Sequence, residues 1–343
     1  MRQLVLASVV LLGSTARAGE DMFNMGAFGD VGATGTDQPN APPSFMRGTF
    51  SLLLTSSPLP DFQLLAEPEL EFATSEADPA VNLERLTVRW SRDDRLAVTL
   101  GLLRQPFGYY TPTFSNVQLL QTVAGRPLAL LYEDEGGFLP IHGLGAEVAG
   151  EIRAGPVAWG YSLDIANGRP RDGKDAATTL DTGLAKSVLL LLYVNFRSLG
   201  LRLGGNALYD YVGADPGIHA SFNERILGFH VLYERGPLFV LTEGYWVDHW
   251  GSDYVRTRNF AGFVEASYGI GSWHPYLRVD RLDTEPDAYF TETGAVSGDI
   301  WKQTVGVRYD FGSKVAVKGQ YERTEGADGV AANGGTLQVA FGF

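Results

Sequence analysis

The sequence predicts an all-β fold, a closed antiparallel transmembrane β-barrel of about 16 strands, and three observations lead to it. Apolar and polar residues alternate with period two along nearly the whole chain, the pattern of strands with one apolar face. The connections between those strands are alternately short and long. Beyond the first 18 residues, no stretch is apolar enough to form a spanning helix, and the most apolar run is only Val188 to Val194.

The chain opens with a basic Arg2, an apolar stretch from Leu4 to Gly13, and Ala16-Arg17-Ala18 before Gly19. This is the pattern of a cleaved export signal over residues 1–18, leaving 19–343 as one barrel domain. The expected strands lie near 22–32, 45–54, 62–73, 82–91, 96–104, 141–152, 156–166 and 185–197. The second half continues at 199–210, 224–235, 238–248, 258–269, 273–282, 300–311, 314–323 and 335–343. The final strand shows the alternation well, with Leu337, Val339, Phe341 and Phe343 on one face and Gln338, Ala340 and Gly342 on the other.

Short turns are expected at Arg92–Arg95, Ala154–Gly155, Gly236–Pro237, Ile270–Ser272 and Gly312–Ser313. Longer segments rich in Gly, Asp, Pro and Thr fall between them, near 105–140, 167–184, 211–223, 249–257, 283–299 and 324–334. A soluble sandwich has no reason to place all its long loops at one end. A membrane barrel does, with short turns on the periplasmic side and long loops outside. The apolar strand faces also carry ring side chains near their ends, among them Trp90, Trp159, Trp246, Tyr268, Trp273 and Tyr309, as interfacial girdles require. The expected location is the outer membrane of a Gram-negative cell, with lipid as the surrounding partner.

Composition narrows the function. The 343 residues include 40 acidic and 27 basic side chains, a net charge of −13, which argues against nucleic acid as a partner. Cysteine is absent, removing thiolate metal sites and thiol nucleophiles. The five histidines show no metal-ligand spacing, no serine-nucleophile elbow occurs, and no cofactor or metal is expected. The enzymatic alternative would use rim residues such as Asp248, His249 and His219.

With the apolar face toward lipid, parity places Arg47, Glu67, Glu69, Glu71, Arg85, Arg89, Arg202, Glu243, Glu265, Arg278, Lys302, Arg308 and Lys318 on the lumen side. Charges there avoid the roughly 2–4 kcal/mol that Lys or Arg costs at the lipid midplane. About 16 strands leave room for a water-filled channel, so a charged inner wall implies passive passage of small hydrophilic solutes and ions. Glu67, Glu69 and Glu71 beside Arg85 and Arg89 read either as a field across the pore or as a ladder of cross-strand pairs, the ladder being favoured. The 105–140 connection is long enough to be functional. Folded inward, it would form a constriction with Arg104, Arg126, Glu133, Asp134 and Glu135; the alternative is an external lid. Parity also puts Glu147, Asp164, Glu234, Asp280, Asp310 and Glu322 on the lumen side, so lumen and loop acids together outnumber bases, which implies a weak cation preference. A closed or plugged barrel with a structural, adhesive or ligand-binding surface role is the competing reading.

The stretches Gly101-Leu-Leu-Arg-Gln-Pro-Phe-Gly108 and Tyr132-Glu-Asp-Glu-Gly-Gly-Phe-Leu-Pro-Ile-His-Gly-Leu-Gly145, with Ala27–Val31, resemble bacterial outer-membrane porins related to the phosphate-selective porins. The likeness is best over residues 22–150. It implies a passive, trimeric pore whose third external loop is the constriction. Phosphate selectivity does not follow, because this loop carries Arg104 and Arg126 but no lysine, and three acids at 133–135. The terminal strand ending in Phe343 resembles the signal read by the barrel-assembly machinery. If the leader is removed as expected, mass spectrometry of the membrane-inserted protein will find Gly19 as the first residue. A retained Met1 would overturn that reading.

Overall fold

Alternation and turn rhythm are realised in a computed structural model that describes residues 23–37, 45–73, 79–114, 117–131, 138–170, 186–214, 219–292, 298–326 and 329–343. The expected leader, residues 1–18, lies outside the described residues, as do Glu133, Asp134 and Glu135. The strands are β1 (Phe23–Thr36), β2 (Phe45–Leu59), β3 (Phe62–Ala73), β4 (Ala80–Asp93), β5 (Leu96–Arg104), β6 (His142–Ala154), β7 (Val157–Asn167) and β8 (Lys186–Phe196). They continue as β9 (Leu201–Val212), β10 (Phe222–Arg235), β11 (Leu238–Trp250), β12 (Thr257–Tyr268), β13 (Trp273–Thr284), β14 (Gly298–Phe311), β15 (Val315–Glu325) and β16 (Ala331–Gly342). Two single-turn helices, α1 (Tyr110–Phe114) and α2 (Ala288–Glu292), lie in long connections.

Each strand pairs antiparallel with its sequence neighbours, and β1 pairs with β16 to close the ring. The seam runs from Phe28 opposite Gly342 to Thr36 opposite Gly334. Beyond it, Ala27 N–H donates to Phe343 O at 3.1 Å and Phe343 N–H to Ala27 O at 2.8 Å. Closure of this kind is what hydrocarbon demands, since an open edge would leave backbone groups unpaired there. Several strands run two to five residues further than the alternation suggested at their loop ends; β1 continues to Thr36 and β16 begins at Ala331.

Outward residues are apolar and exposed on the single chain, including Leu86, Val88, Leu100, Leu144, Leu190 and Leu192. Rings lie toward the strand ends on that same face: Trp159, Tyr268, Trp273 and Phe311 near the short turns, Tyr209, Trp246 and Tyr321 toward the long loops. No described helix is long and apolar enough to cross a membrane.

The interior departs from the expectation of a uniformly charged, watery wall. From β8 to β13 the inward positions include Leu189, Leu208, Ile226, Leu241, Val247, Phe263 and Leu282, all buried in one apolar cluster. Their cover is the long connection after β5 together with α2. These strands are therefore apolar on both faces in part, one toward lipid and one toward a packed lumen.

Gly101 in β5 has φ of +130°, and a Cβ built there would lie 2.0 Å from Leu86 O on the paired strand. Only glycine accepts that backbone without strain. Gly101→Val should lower stability by about 1–3 kcal/mol or more. The check is the urea midpoint of the detergent-folded barrel, and an unchanged midpoint would contradict this account.

Candidate functional site: the infolded loop and the inner wall

Gly108 sets the direction of the connection that leaves β5. Its φ is +63°, and an added Cβ would come within 2.4 Å of Tyr245 Oη and 2.6 Å of Glu243 Oε1. The backbone can therefore press against the opposite wall, where Tyr109 N–H and Tyr110 N–H both donate to Glu243 Oε1 at 2.6 and 2.8 Å. Those donors belong to the start of α1, and a carboxylate suits the unpaired N–H groups of a helix start.

From there the loop runs along the inside of β11 to β16. Arg278 Nη1 and Nη2 donate to Gly125 O at 3.0 Å and Arg126 O at 3.1 Å, while Asp280 Oδ1 accepts from Leu128 N–H at 3.0 Å. Gln320 binds both sides of Ala124, accepting from its N–H at 2.9 Å and donating to its carbonyl at 2.8 Å. Lys318 Nζ donates to Gln118 O at 2.7 Å, and Arg308 Nη1 to Gln121 O at 2.8 Å. The described part of this loop thus lies inside the barrel. Phe107, Tyr110, Phe114, Leu130, Leu139 and Ile141 anchor it by burial. Each such side chain contributes about 1.5–3 kcal/mol.

All thirteen residues expected on the lumen side have inward parity in the observed register. Their surroundings differ from an open wall. Glu243, Arg278 and Lys318 are buried beneath the loop and hold its backbone, and Glu265 is buried 3.8 Å from Arg278. Arg47 pairs with Glu71 and Arg85 with Glu67, Ser51 donates to Glu69, and Arg89 Nε donates to Ser91 Oγ. The cross-strand ladder is therefore present on β2 to β4. Lys302 pairs with Glu322 at 2.8 Å and Arg308 with Asp310 at 2.7 Å.

Arg104 was expected in the constriction loop, but it is the last residue of β5 and is buried against Glu84 at 2.8 Å. The expected strand also ended at 104, and the partner Glu84 is inward because the β3–β4 pairing shifts between Glu67 and Pro68, adding a residue to the inner face of β4. Arg126 does lie in the loop, half-buried beside the exposed Gly125, with its carbonyl held by Arg278.

A second cluster was not legible from spacing. His249 sits between two carboxylates, with Nδ1 2.9 Å from Asp287 Oδ2 and Nε2 2.8 Å from Glu224 Oε2. Ionised carboxylates only accept, so both ring nitrogens must donate and the ring is an imidazolium. Arg169 grips both Glu224 oxygens at 2.7 and 2.9 Å, donates to Phe138 O at 2.6 Å, and stacks near the Tyr289 and Phe290 rings. Four external connections are joined at this point, those carrying Phe138, Arg169, Tyr254 and Asp287. Asp248, the neighbour of His249, points the other way and pairs with Arg225, since successive strand residues face opposite sides. The two rim residues considered for an enzyme therefore do not meet. His219 packs on Phe222, Tyr254 and Tyr289.

Burial alone would raise the Asp287 carboxyl, but hydrogen bonds from His249, Thr257 and Tyr254 and the His249 charge hold it well below the usual range. A depressed carboxyl stabilises the fold above its unfolded value near 3.8 and loses that contribution only as pH falls through the lower folded value. External-loop protection from protease should therefore be the same at pH 7 and pH 5. Asp287→Ala should cost about 3–5 kcal/mol, because His249 and Tyr254 lose a buried partner. Protease digestion of the folded variant checks this, and unaltered protection would refute it.

Comparison with known proteins places the architecture. No family model matches the chain, and no curated protein matches it either. Solved structures do match in fold. The anion-selective porin of Comamonas acidovorans has 12% identity and a TM-score of 0.66, covering 94% of this chain and 99% of that one. A loop-deletion mutant of the outer-membrane protein OmpT of Vibrio cholerae has 12% identity and a TM-score of 0.62, covering 94% and 100%. A triple mutant of the Rhodopseudomonas blastica porin has 11% identity and a TM-score of 0.55, again covering 94% and 100%. The chain thus has the fold of bacterial outer-membrane porins, and the narrower resemblance to phosphate-selective porins finds no matching family model.

Proposed function

We propose that the protein is an outer-membrane diffusion channel for small hydrophilic solutes and ions, with a weak cation preference. The observation that carries this is the division of the lumen. The infolded loop and the apolar inner positions of β8 to β13 pack together, while Arg47, Arg85, Lys302, Arg308 and Glu322 on β2, β4, β14 and β15 stay partly accessible to water. Arg47 is 59% exposed, and Arg85, Lys302, Arg308 and Glu322 are each partly so. Gly125 and Arg126 stand beside this wet side and narrow it, so the constriction role belongs to Arg126 with Glu69 and Glu84. Partial exposure inside a closed barrel means water among fixed charges, the setting in which charge selects ions.

The cation preference rests on the excess of acids, −13 over the chain, and on the inward carboxylates of β3 and β4. Export through a cleaved leader, insertion through the terminal strand ending in Phe343 and assembly as a homotrimer complete the proposal; a trimer form is described for the Vibrio cholerae OmpT. A plugged barrel is the second reading, favoured by the large apolar cluster inside the lumen and the buried Arg169–Glu224–His249–Asp287 cluster at its mouth.

Planar-bilayer recording separates the two. Stepwise openings are expected, with a reversal potential of cationic sign across a KCl gradient. Replacing Glu69 and Glu84 by Gln should move that potential toward zero. Folded, inserted protein that passes no current would favour the plugged barrel, and an anionic potential would remove the charge assignment.

A further inference from the structure

On β9 the inward positions Arg202, Gly204 and Asn206 lie beside His230 and Gly228 of β10. The Arg202 guanidinium sits 3.5 Å from the Tyr193 ring centroid and 5.0 Å from that of Tyr109 on the infolded loop. Its Nε donates to His230 Nε2 at 3.3 Å. Among the described residues no carboxylate lies within ion-pair distance of this guanidinium, although acids are abundant in the chain.

The groups beside it are incomplete in the same sense. Because His230 Nε2 accepts, the ring hydrogen is on Nδ1, which is buried with no acceptor. Asn206 is buried, and neither its amide nitrogen nor its oxygen has a partner. Glycines seat these side chains: a Cβ at Gly204 would lie 2.2 Å from His230 Cε1, and one at Gly228 would lie 2.5 Å from Asn206 Oδ1, so the ring and the amide lie directly over glycine backbone. A buried polar group without a partner is costly, so a cluster of them calls for an occupant. Arg202 is half-buried, so the cluster meets water on its Arg202 side.

We propose that Arg202, His230, Asn206, Tyr109 and Tyr193 form a solute-binding subsite for a small monocarboxylate that carries a second oxygen, as 2-oxo and 2-hydroxy acids do. The assignment deepens the channel reading and rests on it for access to the lumen. A guanidinium fork matches a carboxylate, and the tyrosine rings hold that fork in place. The His230 Nδ1–H and the Asn206 amide supply donors, and one acceptor, for the second oxygen. Glu151 and Glu243 act electrostatically on Arg202, so a singly charged anion is favoured over a multiply charged one such as phosphate.

Calorimetric titration of the detergent-folded barrel with pyruvate tests this, with inorganic phosphate and glucose as comparison solutes. Saturable pyruvate binding is expected, at least tenfold weaker in Arg202→Gln and in Asn206→Ala. Arg323→Gln, at an exposed pair with Glu325, should bind as the parent does. Heat-modifiable mobility establishes that each variant is folded, and if one variant fails to fold the other decides. No pyruvate binding by the folded parent, or equal binding by the folded Arg202 or Asn206 variant, would overturn the subsite. Tighter binding of phosphate or glucose than of pyruvate would overturn the carboxylate assignment. Calorimetry needs no membrane current, so failure of the subsite is distinct from failure of the channel, which bilayer recording reads separately.

Discussion

Every other feature of this chain depends on the β1–β16 seam. Backbone N–H and C=O groups have no partner in hydrocarbon, so a sheet that crosses a membrane must end where it began. Here the pairing runs from Phe28 opposite Gly342 to Thr36 opposite Gly334. Closing sixteen strands creates a second problem, because the enclosed space is wider than wall side chains can fill. The connection after β5 addresses that problem by entering the space.

An infolded loop brings its own unpaired backbone, and long polar side chains of the wall pair it. Glu243 takes two N–H groups, while Arg278, Arg308 and Lys318 donate to carbonyls and Gln320 does both. These residues look from sequence like pore charges, and their geometry makes them supports. The apolar side chains of the loop, in turn, need apolar neighbours, which β8 to β13 supply. The loop and β8 to β13 thereby share a packed apolar region, while Arg47, Arg85, Arg202, Lys302, Arg308 and Glu322 keep part of their surface near water.

Period-two alternation made the strands legible, and the turn rhythm made their orientation legible, because both follow from local backbone geometry. Parity carried far enough to put Arg202, Lys302 and Arg308 on the inner face. It missed Glu84, which a register shift between β3 and β4 adds to the inner face, since alternation cannot register an extra residue. The packed lumen left a trace that parity discarded: Leu189 to Leu192 are apolar at consecutive positions, so both faces of β8 avoid water. The Arg169–Glu224–His249–Asp287 cluster was illegible for a different reason. Its members come from four separate segments, and only the fold brings them within hydrogen-bond distance.

The placement of charge also recasts the question of a field across the pore. From sequence, acids and bases on adjacent strands could only neutralise one another side by side, and Glu67 with Arg85 and Glu71 with Arg47 do so. The loop adds Arg126, half-buried and held through its carbonyl by Arg278 of β13. Opposed charges at a narrow, partly dehydrated level interact more strongly than the same charges in bulk water. In the proposed channel reading, selectivity would come from Arg126 on a loop that Gly108 turns against the Glu243 wall.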